Sequence, residues 1–253
     1  MYYGYSNYRI MRLIVKKEFN DKDIYKSIVT IDIEGDAISP EINQKLFPNG
    51  CHMDPNTRIW CCTFTIPDAK DGTYTRTLVC KLPDKPREII QEDGKFHGWY
   101  TKAIHKKDTV VPSKIDTRYG TDHNIIIFDD YIEFLNGISD ILDACLLTCF
   151  VVCKGYNKVY NYDKLMLEHI FKEHNISIPD NWDNCVNAIQ ICPNLTYCWK
   201  ATTEQVHLDS NIPNQEYIIM GIKHNIEDSV QLYNLFTKQI VYTLKLREIR
   251  RDF

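Results

Sequence analysis

The chain has 253 residues, 44% hydrophobic and 25% charged, with a net charge of −4. That balance suits a folded domain with a sizeable core and excludes a charge-rich disordered chain. It also excludes a globally basic protein, so any nucleic-acid contact must come from a local positive surface.

A candidate strand or pairing arm runs from Arg9 to Val15. The first strong strand follows, in Lys26-Ser-Ile-Val-Thr-Ile-Asp-Ile-Glu-Gly-Asp36, where Ile28, Val29, Thr30, Ile31 and Ile33 are β-branched. Side chains two apart in a strand share a face, so Asp32 and Glu34 project together. Two readings fit that pair: ligands sharing a cation, or the solvent face of an acidic edge strand. Turn signals occupy residues 37–57. A second strand is expected from Arg58 to Ile66, with Trp60, Cys62 and Phe64 on one face, and a third from Thr73 to Leu82 after the Asp71-Gly72 turn.

Residues 83–125 carry Pro83, Pro86 and Pro112 and no sustained period. Between Lys102 and Arg118 there are five basic residues against two acidic ones, the best candidate for a locally basic surface on a long inserted loop. Asn124 to Phe128 reads as a short strand. Asp129 to Cys145 then has helical spacing at Ile132, Leu135, Ile138, Ile141, Leu142 and Cys145. Cys149 to Cys153 reads as a buried strand. A helix opens near Tyr162-Asp163 with Leu165, Leu167, Ile170 and Phe171 as its apolar stripe, and Trp182 to Ile189 is a further candidate strand. After a polar segment at 192–215, the last helix is expected from about Glu227 to Ile240. With no internal repeat or Gly/Ser linker, the expectation is one domain over 1–253 with an insertion at about 83–125. Its class is α/β, a mixed sheet with helices on both faces.

Ten cysteines include no Cys-x-x-Cys pair, and their spacing suits buried free thiols rather than a disulfide framework. A zinc site built on Cys51, His52 and later cysteines is the alternative. The longest apolar run, Ala144 to Cys153, is about half the ~20 residues a membrane-spanning helix needs. No signal-peptide pattern opens the chain, so the expectation is a soluble intracellular protein without a membrane partner. His97, His105, His169, His174 and His207 lack an acid or cysteine at useful spacing. Tyr156, Trp99 and Trp199 are candidates for stacking on bases, with core packing as the other use of the tryptophans.

Acidic residues recur in a particular order: Asp32 and Glu34 on the first strand, Asp163 at a helix start, and Asp228 at the start of the last helix with His224 ahead of it. Taken singly, Asp163 and Asp228 are equally suited to capping their helices. As an ordered set, the segments Thr30-Ile-Asp-Ile-Glu-Gly35, Lys154-Gly-Tyr-Asn-Lys-Val-Tyr-Asn-Tyr-Asp-Lys-Leu165 and Lys223-His-Asn-Ile-Glu-Asp-Ser229 resemble the DEDD superfamily of 3′–5′ exonucleases. The resemblance implies a ribonuclease-H-like fold and a partner in single-stranded DNA or RNA 3′ ends. It implies Asp32, Glu34, Asp163 and Asp228 as ligands of two divalent cations, Mg²⁺ or Mn²⁺, which activate water and balance charge at phosphorus. His224 is then the general base. Three residues separate His224 from Asp228, the spacing of the family's tyrosine branch, where its histidine branch has four. Four residues lie between Asn157 and Tyr162, where two or three are usual. A catalytically inactive binding module on the same fold is the second reading.

Overall fold

The computed structural model describes residues 25–35, 59–68, 72–81, 110–121, 123–153, 162–191 and 214–251. The proposed arm at Arg9–Val15, the turns at 37–57, Cys51, His52 and most of the middle motif lie outside these residues. Six strands form one sheet: β1 (Ile28–Gly35), β2 (Ile59–Pro67), β3 (Thr73–Cys80), β4 (Asn124–Phe128), β5 (Phe150–Cys153) and β6 (Cys185–Asn187). The order across the sheet is β4-β3-β2-β1-β5-β6. β1, β2 and β3 form an antiparallel meander, while β5 runs parallel to β1 and β6 parallel to β5. This is the expected ribonuclease-H-like mixed sheet, extended by β4, which joins β3 in parallel at the far edge.

The position of β1 decides one question left open by its sequence. It is hydrogen-bonded on both sides, to β2 and β5, so it is a central strand and the edge-strand reading of Asp32 and Glu34 is wrong.

Four helices complete the described fold: α1 (Tyr131–Leu146), α2 (Tyr162–Glu173), α3 (Ala188–Ile191) and α4 (Asn214–Arg251). α1 starts where Asp130 accepts the Glu133 N–H at 2.9 Å, satisfying one of the unpaired amides of the first turn. Its buried stripe is Phe134, Leu135, Ile138, Leu142, Cys145 and Leu146, and the expected Ile132 is exposed. In α2 the buried side chains are Met166, Leu167, Ile170 and Phe171, with Leu165 facing outward. The candidate strand at 182–189 is in fact a 3₁₀ turn (Trp182–Asn184), the short β6 and the start of α3.

Strand alternation divides the sheet into two faces. Val29 and Ile31 of β1 lie on one face with Cys62 and Phe64, and Leu78 of β3 meets α1 there, next to Gly137. Thr30 and Asp32 lie on the other face, where both engage α4. Trp60 departs from the simple alternation expected for it. A bulge opposite Glu34 and Gly35 turns it toward α4, where its ring lies against Gly221. Beyond Asn225 and Ser229, Leu232, Tyr233 and Phe236 of α4 pack with Ile28, Val152 and Val186. Among the described residues no helix is long and apolar enough to cross a membrane.

Candidate functional site

α4 is longer than the sequence rhythm suggests. It begins at Asn214 rather than near Glu227, so His224 and Asp228 lie well inside the helix and not at its opening turn. The reason lies in 221–225, Gly-Ile-Lys-His-Asn, which interrupts the apolar spacing. Gly221 is needed there for contact: a Cβ on it would lie 2.7 Å from one Trp60 ring carbon and 3.0 Å from another. Asn225 is fully buried because it meets a polar partner, the carboxylate of Asp32, with Nδ2 donating to Oδ2 at 2.8 Å. Ser229, one turn later, donates to Thr30 O at 3.4 Å and pairs with the Thr65 hydroxyl at 2.8 Å. Thr30 Oγ1 in turn donates to Ser229 O at 2.8 Å. Further on, the Tyr233 hydroxyl donates to Tyr25 O. α4 therefore runs antiparallel to β1 and is fixed along its axis by hydrogen bonds rather than apolar packing alone.

These anchors position the acidic residues. Asp32 is only 6% exposed in the centre of the sheet. Burying a carboxylate costs several kcal/mol unless its oxygens are bonded, so the Asn225 contact is a structural requirement of this site. Asn225 also accepts from Cys61 Sγ at 3.5 Å, giving the chain Cys61–Asn225–Asp32. Asp228 is buried one turn from Asn225, and His224 Nε2 lies 3.6 Å from its Oδ2. The His224 side chain keeps 26% of its surface exposed, so the pair joins a buried carboxylate to solvent. With His224 helical, the spacing of three intervening residues is what aligns the two side chains on one face.

Asp163 is buried in the first turn of α2, as its sequence position suggests. Burial pushes the Cys62 thiol pKa well up, and Asp32 and Asp163 both raise it further. Burial likewise raises Cys61, with Glu34, Cys62 and Asp32 adding to it. Cys153 is raised first by its bond to Cys185, with the sulfurs 3.5 Å apart, then by burial, Cys185 and Asp163. The cysteines of this region are thus protonated core side chains among carboxylates, and all seven described cysteines are free.

The structure links Asp32 to the helix that carries Asp228 and His224. Half-buried Glu34 pairs in register with Cys61. Among the described residues, no three His, Cys, Asp or Glu side chains stand together as a ready metal-binding group. The donor chemistry suits a hard divalent cation, since the candidate ligands are all carboxylates, and Asp32 Oδ2 accepts from the Asn225 amide.

A second layer had little sequence signal pointing to it. The turn at 117–120 is closed by reciprocal main-chain bonds of 3.0 and 3.1 Å between Thr117 and Gly120. Gly120 has a φ of +103°, which a side chain disfavours. Buried His123 ties this turn to the sheet. Its Nε2 lies 2.9 Å from Gly120 O, a pure acceptor, so Nε2 carries the proton. Nδ1 is hydrogen-bonded to the Thr75 hydroxyl at 2.8 Å. Arg118 ties the turn to α4, its N–H donating to Glu227 Oε1 at 2.9 Å and its guanidinium to Oε2 at 2.8 and 3.0 Å. Burial pushes the Glu227 carboxyl pKa up, but the Arg118 bonds outweigh it and hold the value below normal. The only hints in sequence were Gly120 and the basic character of the preceding loop. Comparison with protein-family models gives no match, and comparison with curated protein sequences gives none.

Proposed function

We propose that the chain is a metal-dependent 3′–5′ exonuclease acting on single-stranded DNA or RNA. The observation that carries this reading is Asp32, a buried carboxylate on the central strand of the mixed sheet, tied through Asn225 to the helix bearing Asp228 and His224. Asp32, Glu34, Asp163 and Asp228 are the residues that would hold the cations. When bound, two divalent cations supply charge neutralisation at the phosphate and lower the pKa of water. The chain's own contribution is position and proton transfer. Anchoring of α4 by Gly221, Asn225 and Ser229 sets where Asp228 and His224 stand relative to Asp32. Nε2 lies 3.6 Å from the Asp228 carboxylate, which orients the imidazole. Nδ1 then takes the proton from the attacking water.

The second reading, a catalytically silent binding module on the same fold, is favoured by the Asn225–Asp32 bond, which occupies an oxygen a cation would use. A 5′-labelled single-stranded DNA and RNA assay with Mg²⁺ or Mn²⁺ separates the two. The exonuclease reading expects ladders of shortened products that vanish in Asp32→Ala. Intact substrate with both metals, alongside retained binding, establishes the silent module instead.

A further inference from the structure

We infer that Tyr119 is a positioning residue: its ring forms a stacking platform for a base of the substrate strand beside His224 and Asp228. This rests on the nuclease reading above and names a residue outside its metal and proton-transfer set. Tyr119 lies at the tip of the 117–120 turn and is 39% exposed, so one side of its ring is open to a ligand. The backbone that carries the ring is held in one place. Tyr119 N–H donates to Thr117 Oγ1 at 3.1 Å, Thr117 Oγ1 donates to Gly120 O at 2.9 Å, and the same hydroxyl lies 2.9 Å from His123 Nε2. On its other side, Arg118 grips Glu227 through main chain and guanidinium together.

Glu227 directly precedes Asp228 and lies three residues from His224 on α4, so this clamp brings the 117–120 turn against the stretch of helix that carries the candidate catalytic pair. The electrostatics agree with that placement: partial burial raises the Tyr119 hydroxyl pKa, Arg118 opposes the rise, and Glu227 and Asp228 add to it. A rigid aromatic ring loses little entropy on binding, and every base offers a face to stack on. The contact therefore suits an enzyme that handles successive terminal nucleotides irrespective of sequence. Arg118, already committed to Glu227, serves here as the fastener of the turn rather than as a phosphate ligand.

The test uses the full chain and short single-stranded DNA and RNA carrying 2-aminopurine at the 3′ end, in Ca²⁺. Binding is expected to quench the fluorophore, because stacking on an aromatic ring quenches it. Tyr119→Ala is expected to weaken binding by roughly 5- to 100-fold and to lose the quench. Tyr119→Phe keeps both, since the ring and not the hydroxyl makes the contact. Arg118→Ala, which releases the turn, is expected to give an intermediate loss, and unchanged thermal unfolding of Tyr119→Ala shows that the loss is local. Wild-type binding with Tyr119→Ala equal to it in affinity and quench overturns the platform alone. Failure of the wild type to bind either oligonucleotide overturns the platform together with the nuclease reading.

Discussion

Gly221→Ala tests how the site is held in place. The added Cβ would lie 2.7 Å and 3.0 Å from two carbons of the Trp60 ring. Carbon atoms pack best at about 3.5–4.0 Å, so relief requires a shift of roughly 0.8 Å or more. Trp60 is only 2% exposed and cannot swing into solvent, which leaves the helix to move. Asn225 is the next turn of that helix. Lengthening its 2.8 Å bond to Asp32 by the same amount gives about 3.6 Å, outside hydrogen-bond range. Overpacking costs about 1–3 kcal/mol. Losing a bond to a buried carboxylate costs about 1.5–3 kcal/mol more. Replacing a helical glycine by alanine returns about 1 kcal/mol. The expected net loss is about 1.5–5 kcal/mol, read by urea denaturation followed by circular dichroism. Gly137→Ala in α1 is the control. Its Cβ would meet only side-chain tips, Phe128 Cζ at 3.0 Å and Leu78 Cδ2 at 3.1 Å, and the propensity gain offsets their adjustment to within about 1 kcal/mol. A Gly221→Ala protein as stable as the wild type would refute the claim that close Trp60–helix contact fixes α4.

Two further substitutions probe the remaining anchors. Ser229→Ala leaves the buried Thr65 hydroxyl without its 2.8 Å partner and is expected to cost about 1–3 kcal/mol in equilibrium unfolding; a change below about 0.5 kcal/mol would contradict the role assigned to it. Glu227→Gln removes the charge that Arg118 grips, and a loss of about 1–2 kcal/mol is expected at pH 7, limited because the guanidinium is partly exposed. The folded-state pKa of Glu227 lies below the ordinary 4.5, so its stabilisation is complete above that value and is lost as pH falls through the lower one. The gap between the two proteins should therefore shrink at pH 3 and below. A gap that is constant from pH 7 to pH 3 contradicts the ion-pair account.

Much of the sheet was legible because its strands are β-branched runs bounded by turn residues, as in Ile28–Gly35 and Thr73–Cys80. Asp163 was placed correctly at a helix start, since Leu167, Ile170 and Phe171 of the expected stripe are buried, with Met166 taking the place of Leu165. The beginning of α4 was not legible. Apolar periodicity registers only residues buried against apolar partners, whereas Asn225 and Ser229 are buried against a carboxylate and a threonine hydroxyl on distant strands. Gly221 reads as a helix breaker until the Trp60 ring packed against it is known. The turn of Trp60 from its expected face toward α4 depends on a bulge that side-chain alternation cannot reveal. His123 and Arg118 were invisible for a similar reason: their partners, Thr75 and Glu227, lie 48 and 109 residues away in sequence.

The central claim concerns Asp32 and what it binds. A crystal of the protein grown with Mn²⁺ and a nucleoside monophosphate, with data collected at the manganese absorption edge, tests it most directly. The account predicts anomalous density contacting Asp32 and Asp228, with Glu34 and Asp163 completing the carboxylate set and the Asn225 amide displaced from Asp32 Oδ2. Manganese bound elsewhere, or no manganese with the Asn225–Asp32 bond intact at saturating Mn²⁺, would contradict it.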